Sequence, residues 1–386
     1  MRMYSKQIVQ IQESTTIAIT TLAQELKAQG KDILSFSAGE PDFDTPECIK
    51  QAAIQAIHAG HSKYTPIKGI PELLKSVSAK FQQENQLDYR PDEVMVSNGA
   101  KQCLFNVFQA LLNPGDEVII PTPCWVTYPE LVHYSGAKAI FVPTTAESAF
   151  KITPAQLKEA LKPQTKIIVL TTPSNPTGMV YSKEELEALA QVIATSSAFV
   201  LSDEIYEKLV YEGSFYAFGA LPHMLERTIT INGLSKAFSM TGWRVGFLGT
   251  KDKVLLKHMV ALQSHTTSNI NSIAQYAALK ALSGAAHADI ERMRVAFQER
   301  RDCAYTGINA IKGLSCLKPQ GAFYLWIKVL HPSLEFCRDL LKEQGVALVP
   351  GSAFEMEGFV RMSYACSLEQ IQNGLERLQK FMEQKA

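Results

Sequence analysis

The sequence predicts an α/β protein, with a large domain on a mainly parallel sheet between helices and then a smaller α+β domain. Three observations predict it. Short apolar, β-rich runs alternate with helical patterns through the middle of the chain, at Glu93–Val96, Glu117–Ile120, Lys166–Leu170, Ala198–Leu201 and Thr228–Ile231. Strands separated by helices call for right-handed crossovers and therefore run parallel. Each run is followed closely by small, polar or aromatic residues. The last hundred residues differ, with helical patterns flanking only short strands. A chain of 386 residues is also too long for one small core and fits two domains.

The runs are punctuated in an informative order. Ser97-Asn98-Gly99-Ala100-Lys101 follows the first and opens a helical stretch over Lys101–Leu112. Pro121 to Trp125 follows the second. Thr171 to Gly178, with Asn175-Pro176 inside it, follows the third and leads to a helical stretch over Ser182–Ala194. Asp203-Glu204 closes the fourth, and Gly233 to Lys236 follows the fifth. Open parallel sheets bind ligands beyond the carboxyl ends of their strands. Here those ends bring a lysine, an acid, an amide and an aromatic ring to one site of cofactor size. Further on, helical patterns at Ala288–Ala310 and Leu368–Gln384 flank short strands near Ala322–Ile327 and Val346–Val349. The boundary falls near Ser283–Ala288, giving a large domain over 41–285 and a small one over 286–386.

Composition narrows the function. Lys+Arg and Asp+Glu both number 38, so the formal net charge is zero and neither nucleic acid nor an anionic membrane is an expected partner. Seven scattered cysteines form no CxxC pair and read as reduced thiols. With no apolar leader after Met1 and no run long enough to span a bilayer, the expected location is the cytoplasm. His58 and His61 could share a metal, but no third ligand lies near them and Gly60 marks a helix end, so no metal site is expected. No GxGxxG, P-loop or GxSxG pattern occurs.

The segment Ser235-Lys236-Ala237-Phe238-Ser239-Met240-Thr241-Gly242-Trp243-Arg244 resembles the cofactor-lysine signature of class I and II aminotransferases. Ser174 to Gly178, Ser202 to Tyr206, Pro319 to Tyr324 and Val360 to Ala365 follow that family's order and spacing, and Ala38 to Phe43 resembles its N-terminal motif. The likeness covers nearly the whole chain and is greatest to the bacterial and plant aspartate/prephenate subgroup. It implies the pyridoxal-phosphate transferase fold of type I, with a seven-stranded, mainly parallel sheet. It also implies an N-terminal segment, 1–40, that joins the small domain, and a homodimer with its active sites at the subunit interface.

The resemblance also implies roles, which residue chemistry supports. Lys236 would hold the aldehyde of pyridoxal 5′-phosphate in a Schiff base and then shuttle a proton, which needs an amine of lowered pKa. Asp203 would face the pyridine nitrogen and keep it protonated; an Asp at a strand–helix junction also suits an N-cap. Asn175 and Tyr206 would hydrogen-bond the phenolic oxygen. Arg244, Ser235 and the Gly99-Ala100-Lys101 amides at a helix N-terminus would bind the phosphate. Gly233, where several family members have a hydroxyl, has no side chain to add. Tyr64 would reach the phosphate of the neighbouring subunit, or be a plain surface tyrosine. Trp125 would stack on the ring. Arg361 would clamp the substrate α-carboxylate, its alternative being a structural salt bridge.

Gly39, Lys101, Trp125, Asn175 and Arg361 would line the substrate pocket. Lys101 and Thr16 match subgroup positions associated with a second substrate carboxylate or with prephenate. One departure is Gln12-Glu13-Ser14, which lacks the subgroup's basic residue and proline. The expected reaction moves an amino group between aspartate or glutamate and a 2-oxo acid (2-oxoglutarate, oxaloacetate or prephenate) by a ping-pong route. Aromatic or broad specificity, and a C–S β-lyase, are the alternatives. A regulator domain on the same fold would need an added DNA-binding domain, for which the chain has no room.

Overall fold

The computed structural model describes residues 4–5, 7–11, 15–330 and 332–385. Its largest sheet has seven strands, in the order Val94–Asn98, Val245–Gly249, Thr228–Gly233, Phe199–Asp203, Thr165–Thr171, Glu117–Thr122 and Lys138–Pro143. The pairings among the last five are parallel. Val245–Gly249 runs antiparallel to both neighbours. The chain therefore returns directly after Thr228–Gly233 without a crossover helix, and residues 234–244 fold over the strand ends.

Alternation along the strands builds two cores. Val118, Ile120, Ile167, Val169 and Leu201 bury one face under helices Ala100–Leu111 and Lys253–Thr266. Their neighbours Ile119, Ile168, Leu170 and Val200 bury the other under Lys183–Ile193. Successive side chains on a strand point to opposite faces, and both faces here are apolar, as a covered parallel sheet requires. Helix Lys183–Ile193 starts at a capping box: Glu185 N–H donates to Ser182 Oγ at 3.2 Å, and Ser182 N–H donates to Glu185 Oε2 at 2.8 Å.

Toward the C-terminus, Val349–Pro350, Phe359–Ser363, Tyr324–Lys328 and Ser315–Cys316 form an antiparallel sheet against helices His287–Ala310 and Ser333–Gln344. The single strand expected near Val346–Val349 is two short ones. Val346–Ala347 pairs in parallel with Leu34–Ser35, and Val349–Pro350 turns to the other sheet. The Leu34 segment and helix Thr15–Ala28 thus pack on the C-terminal part through Ala23, Ile33, Leu341 and Ala347. Residues 283–286 form the break between helices Ser272–Leu282 and His287–Ala310.

Candidate active site

The strand ends and the segment 234–244 enclose a cavity of about 310 Å³. Lys236 projects into it, and its Nζ donates to Gly39 O at 2.7 Å. Burial pulls the amine down to about 8; Arg361 and Arg244 add to the fall, while Glu40 and Asp203 oppose it.

Asp203 ends its strand in the cavity wall, 2% exposed. Its Oδ2 accepts from Tyr128 Oη at 2.6 Å and its Oδ1 from Ile205 N–H at 3.3 Å. Burial, the largest influence, raises its pKa despite these bonds. The Ile205 contact is not helix capping: the residues after Asp203 form turns, and the carboxylate faces the cavity. Tyr206 Oη pairs with Tyr324 Oη at 2.8 Å, and the Tyr206 ring centre lies 5.9 Å from Lys236 Nζ.

Arg361 comes from strand Phe359–Ser363 and is 2% exposed. Its Nη1 donates to Asn175 Oδ1 at 2.9 Å and its Nη2 to Ser37 O at 2.7 Å, while Nε has no partner. The guanidinium lies 4.4 Å from the Tyr324 ring centre. Among the described residues it forms no salt bridge, so the alternative of a structural ion pair does not hold. A buried cation with a spare donor and no counter-ion is built to receive an anion.

A second anion-receiving place lies at the start of helix Ala100–Leu111. Its N-cap residue, Gly99, offers no side chain to the first amides. Arg244 reaches across it, with Nη1 donating to Thr241 O at 2.9 Å and Nη2 to Asn98 O at 3.3 Å. Gly99 suits its place by its backbone, with φ at +82°, and a Cβ there would sit 2.4 Å from Arg244 Nη2 and push the guanidinium aside. Ser235 and Ala100 line the same end of the cavity. Gly233 could carry no side chain in any case, because a Cβ would meet Val245 O at 2.9 Å.

Trp125 and Lys101 form the mouth, with Lys101 Nζ 5.0 Å from the Trp125 ring centre. Burial and then Arg244 lower the Lys101 pKa. Gly39 lines the cavity as well, against Tyr324 Oη. Two expected residues stand apart. Tyr64 is 91% exposed and does not line the cavity of its own chain. The backbone of Thr16 lies in helix Thr15–Ala28, but its side chain is outside the described residues, as is all of Gln12-Glu13-Ser14.

Sequence reasoning missed Tyr128, Thr171 and Tyr324, all of which line the cavity. Tyr128 lies at the start of helix Thr127–Tyr134, three residues after Trp125, and the two rings meet edge to face with centres 5.6 Å apart. Among the described residues no cluster of His, Cys, Asp or Glu could hold a metal, and no helix is long and apolar enough to cross a membrane. The His61 ring stacks on Tyr276 at 3.9 Å.

This chain belongs to the class I and II aminotransferase family, whose model matches residues 31–378. It is an enzyme of amino-group transfer. The aspartate aminotransferase of Geobacillus stearothermophilus is 47% identical to it, with 99% of each chain covered. The aspartate/prephenate aminotransferase of Thermus thermophilus is 43% identical, again with 99% of each covered. The solved structure of the Thermus thermophilus aspartate aminotransferase with maleate superposes with a TM-score of 0.95 at 43% identity, covering 98% of this chain and 100% of that one.

Proposed function

We propose that this aminotransferase uses pyridoxal 5′-phosphate to exchange an amino group between aspartate or glutamate and a 2-oxo acid such as 2-oxoglutarate, oxaloacetate or prephenate. One observation carries the reading. The amine of Lys236 and the buried carboxylate of Asp203 share one cavity, with an open helix N-terminus and Arg244 at one end. The residues fit the cofactor: a carboxylate without a cation suits a protonated ring nitrogen, and the Gly99–Arg244 cradle suits a phosphate.

When bound, the cofactor supplies an aldehyde for the substrate amine and a protonated ring that accepts electrons from the broken Cα–H bond. Lys236 takes the Cα proton on Nζ; a pKa of about 8 leaves part of it as free base near neutral pH. Asp203, oriented by Tyr128, holds the ring proton. Tyr206 and Asn175 hold the phenolic oxygen, and Trp125 packs on the ring face. Arg244, Ser235 and the Gly99, Ala100 and Lys101 amides bind the phosphate. Arg361 binds the α-carboxylate, and the Lys101 side chain binds a second carboxylate at the mouth.

Tyr64, exposed on its own chain, reaches the phosphate of a second copy, so the working unit is a homodimer. The large and small domains are 41–285 and 286–386, with 1–40 joining the latter; Lys236 and Asp203 come from the first and Arg361 from the second. All seven cysteines are free, in keeping with the reducing cytoplasm. Absorbance titration of the cofactor-loaded enzyme tests the reading. Aspartate or glutamate should convert the aldehyde form to the aminated form, and 2-oxoglutarate should reverse it. No conversion, or release of pyruvate and ammonia from a β-substituted amino acid, would overturn it.

A further inference from the structure

Two fully buried glutamines lie outside the cavity: Gln263 in helix Lys253–Thr266 and Gln275 in helix Ser272–Leu282. A buried amide has two donors and a two-acceptor oxygen to satisfy. Gln263 satisfies them all. Its Nε2 donates to Ile67 O and Val96 O, both at 3.0 Å. Its Oε1 accepts from Ser97 Oγ at 2.6 Å and Asn106 Nδ2 at 3.0 Å. Gln275 Oε1 accepts from Ile70 N–H at 2.8 Å, and its Nε2 donates to Thr65 Oγ1 at 2.8 Å and Ile270 O at 3.2 Å.

The groups held in this way belong to two separate places. Thr65, Ile67 and Ile70 belong to the segment that follows the exposed Tyr64. Val96 and Ser97 belong to the edge strand of the large sheet, which runs straight into Gly99-Ala100-Lys101. An edge strand leaves backbone groups in need of partners. Here Val96 N–H donates to Lys68 O at 2.9 Å, and Gln263 takes Val96 O. The segment bearing Tyr64 therefore covers the sheet edge and is fastened there by a side-chain amide.

We propose that Gln263, supported by Gln275, is a positioning residue that locks the Tyr64 segment and the Gly99–Lys101 helix start of one subunit into a single unit. Each subunit then orients one phosphate contact in its own site and another in its neighbour's. The proposal rests on the dimer reading, in which Tyr64 reaches a second copy. Neither glutamine touches the substrate or the cofactor. Removing the Gln263 amide takes away the donor to Ile67 O and Val96 O, and leaves Ser97 Oγ and Asn106 Nδ2 with only their 3.4 Å bond to each other.

Mixed dimers with one working site test this. One subunit carries Lys236→Ala, so lysine-bound cofactor, read by its absorbance, reports only the other site. Gln263→Leu placed on either subunit should raise the cofactor dissociation constant of the live site about tenfold. Thr65→Val on the Lys236→Ala subunit, a half-buried loop change that spares the core if the leucine variant fails to fold, should raise it about threefold. Tyr64→Phe on that same subunit must also weaken binding. If Tyr64→Phe weakens the live site while Gln263→Leu and Thr65→Val act only in their own subunit or not at all, the proposal is overturned and the dimer reading stands. If Tyr64→Phe has no effect, the dimer reading fails and the proposal falls with it.

Discussion

The inner wall of the cavity and its mouth are built differently. On the wall, functional groups hold one another: Tyr128 fixes Asp203 and also pairs with Thr171 at 2.9 Å, Tyr324 fixes Tyr206, and Asn175 and Ser37 fix Arg361. At the mouth, Lys101 and Arg244 are exposed and, among the described residues, form no ion pair, although Arg244 donates to Thr241 O and Asn98 O. The wall groups are already paired within the chain, whereas the mouth cations are placed for the proposed substrate and cofactor phosphate. Wall substitutions should therefore act on kcat, and mouth substitutions on binding.

The largest expected effect is on the wall. Lys236→Ala should lower turnover by about 10⁴-fold, the upper range for a positioned proton carrier. Asp203→Asn should lower kcat by about 10²- to 10³-fold with little change in KM. Tyr128→Phe, which removes the 2.6 Å bond to Asp203 and the 2.9 Å pairing with Thr171, should cost about tenfold. Steady-state kinetics on all three orders them, and a KM effect larger than the kcat effect would blur the distinction between wall and mouth. At the mouth, Lys101→Ala should raise KM about tenfold for aspartate and glutamate and leave phenylalanine unchanged. Equal losses on both would remove Lys101 from dicarboxylate recognition.

The smallest effect concerns the support behind the wall. Glu204, fully buried next to Asp203, accepts from Ser202 Oγ at 2.8 Å. Burial, and then the negative charge of Glu207, push it up to about 8. The folded protein therefore binds a proton that the unfolded chain releases above about 4.5. That contribution to stability is full below pH 4.5 and shrinks as pH rises toward 8. Glu204→Gln, a neutral mimic, should flatten the decline of denaturant midpoint across this window. A parallel slope in the variant would show that Glu204 is ionised at neutral pH.

Much of this was legible in the sequence, for physical reasons. Lys236, Asp203 and Asn175 end or follow strands among small and polar residues, Arg361 is a cation inside the apolar strand Phe359–Ser363, and the family resemblance supplied the role expected of each. Tyr128 and Tyr324 do not stand out that way, because an aromatic inside a helix or strand reads as core. The sheet was legible where both faces are buried. Strand Lys138–Pro143 was not: it lies at the sheet edge with only Val142 fully buried, so its apolar pattern is weak. Nor was Val245–Gly249, whose Gly246 and Gly249 lower strand propensity. Their value is spatial, since a Cβ on Gly246 would meet Ala100 N at 2.1 Å and one on Gly249 would meet Tyr89 at 2.4 Å. The two glutamine clamps left no sequence signal, because a glutamine in a helix is ordinary until its partners are known.

The proposed chemistry turns on one covalent attachment, of Lys236 to the cofactor aldehyde. Borohydride reduction of the cofactor-loaded enzyme, followed by digestion and peptide mass spectrometry, should find the cofactor fixed to Lys236 alone, and no adduct in Lys236→Ala. An adduct on Lys101 or any other lysine in the wild-type enzyme, or none at all, would contradict the assignment.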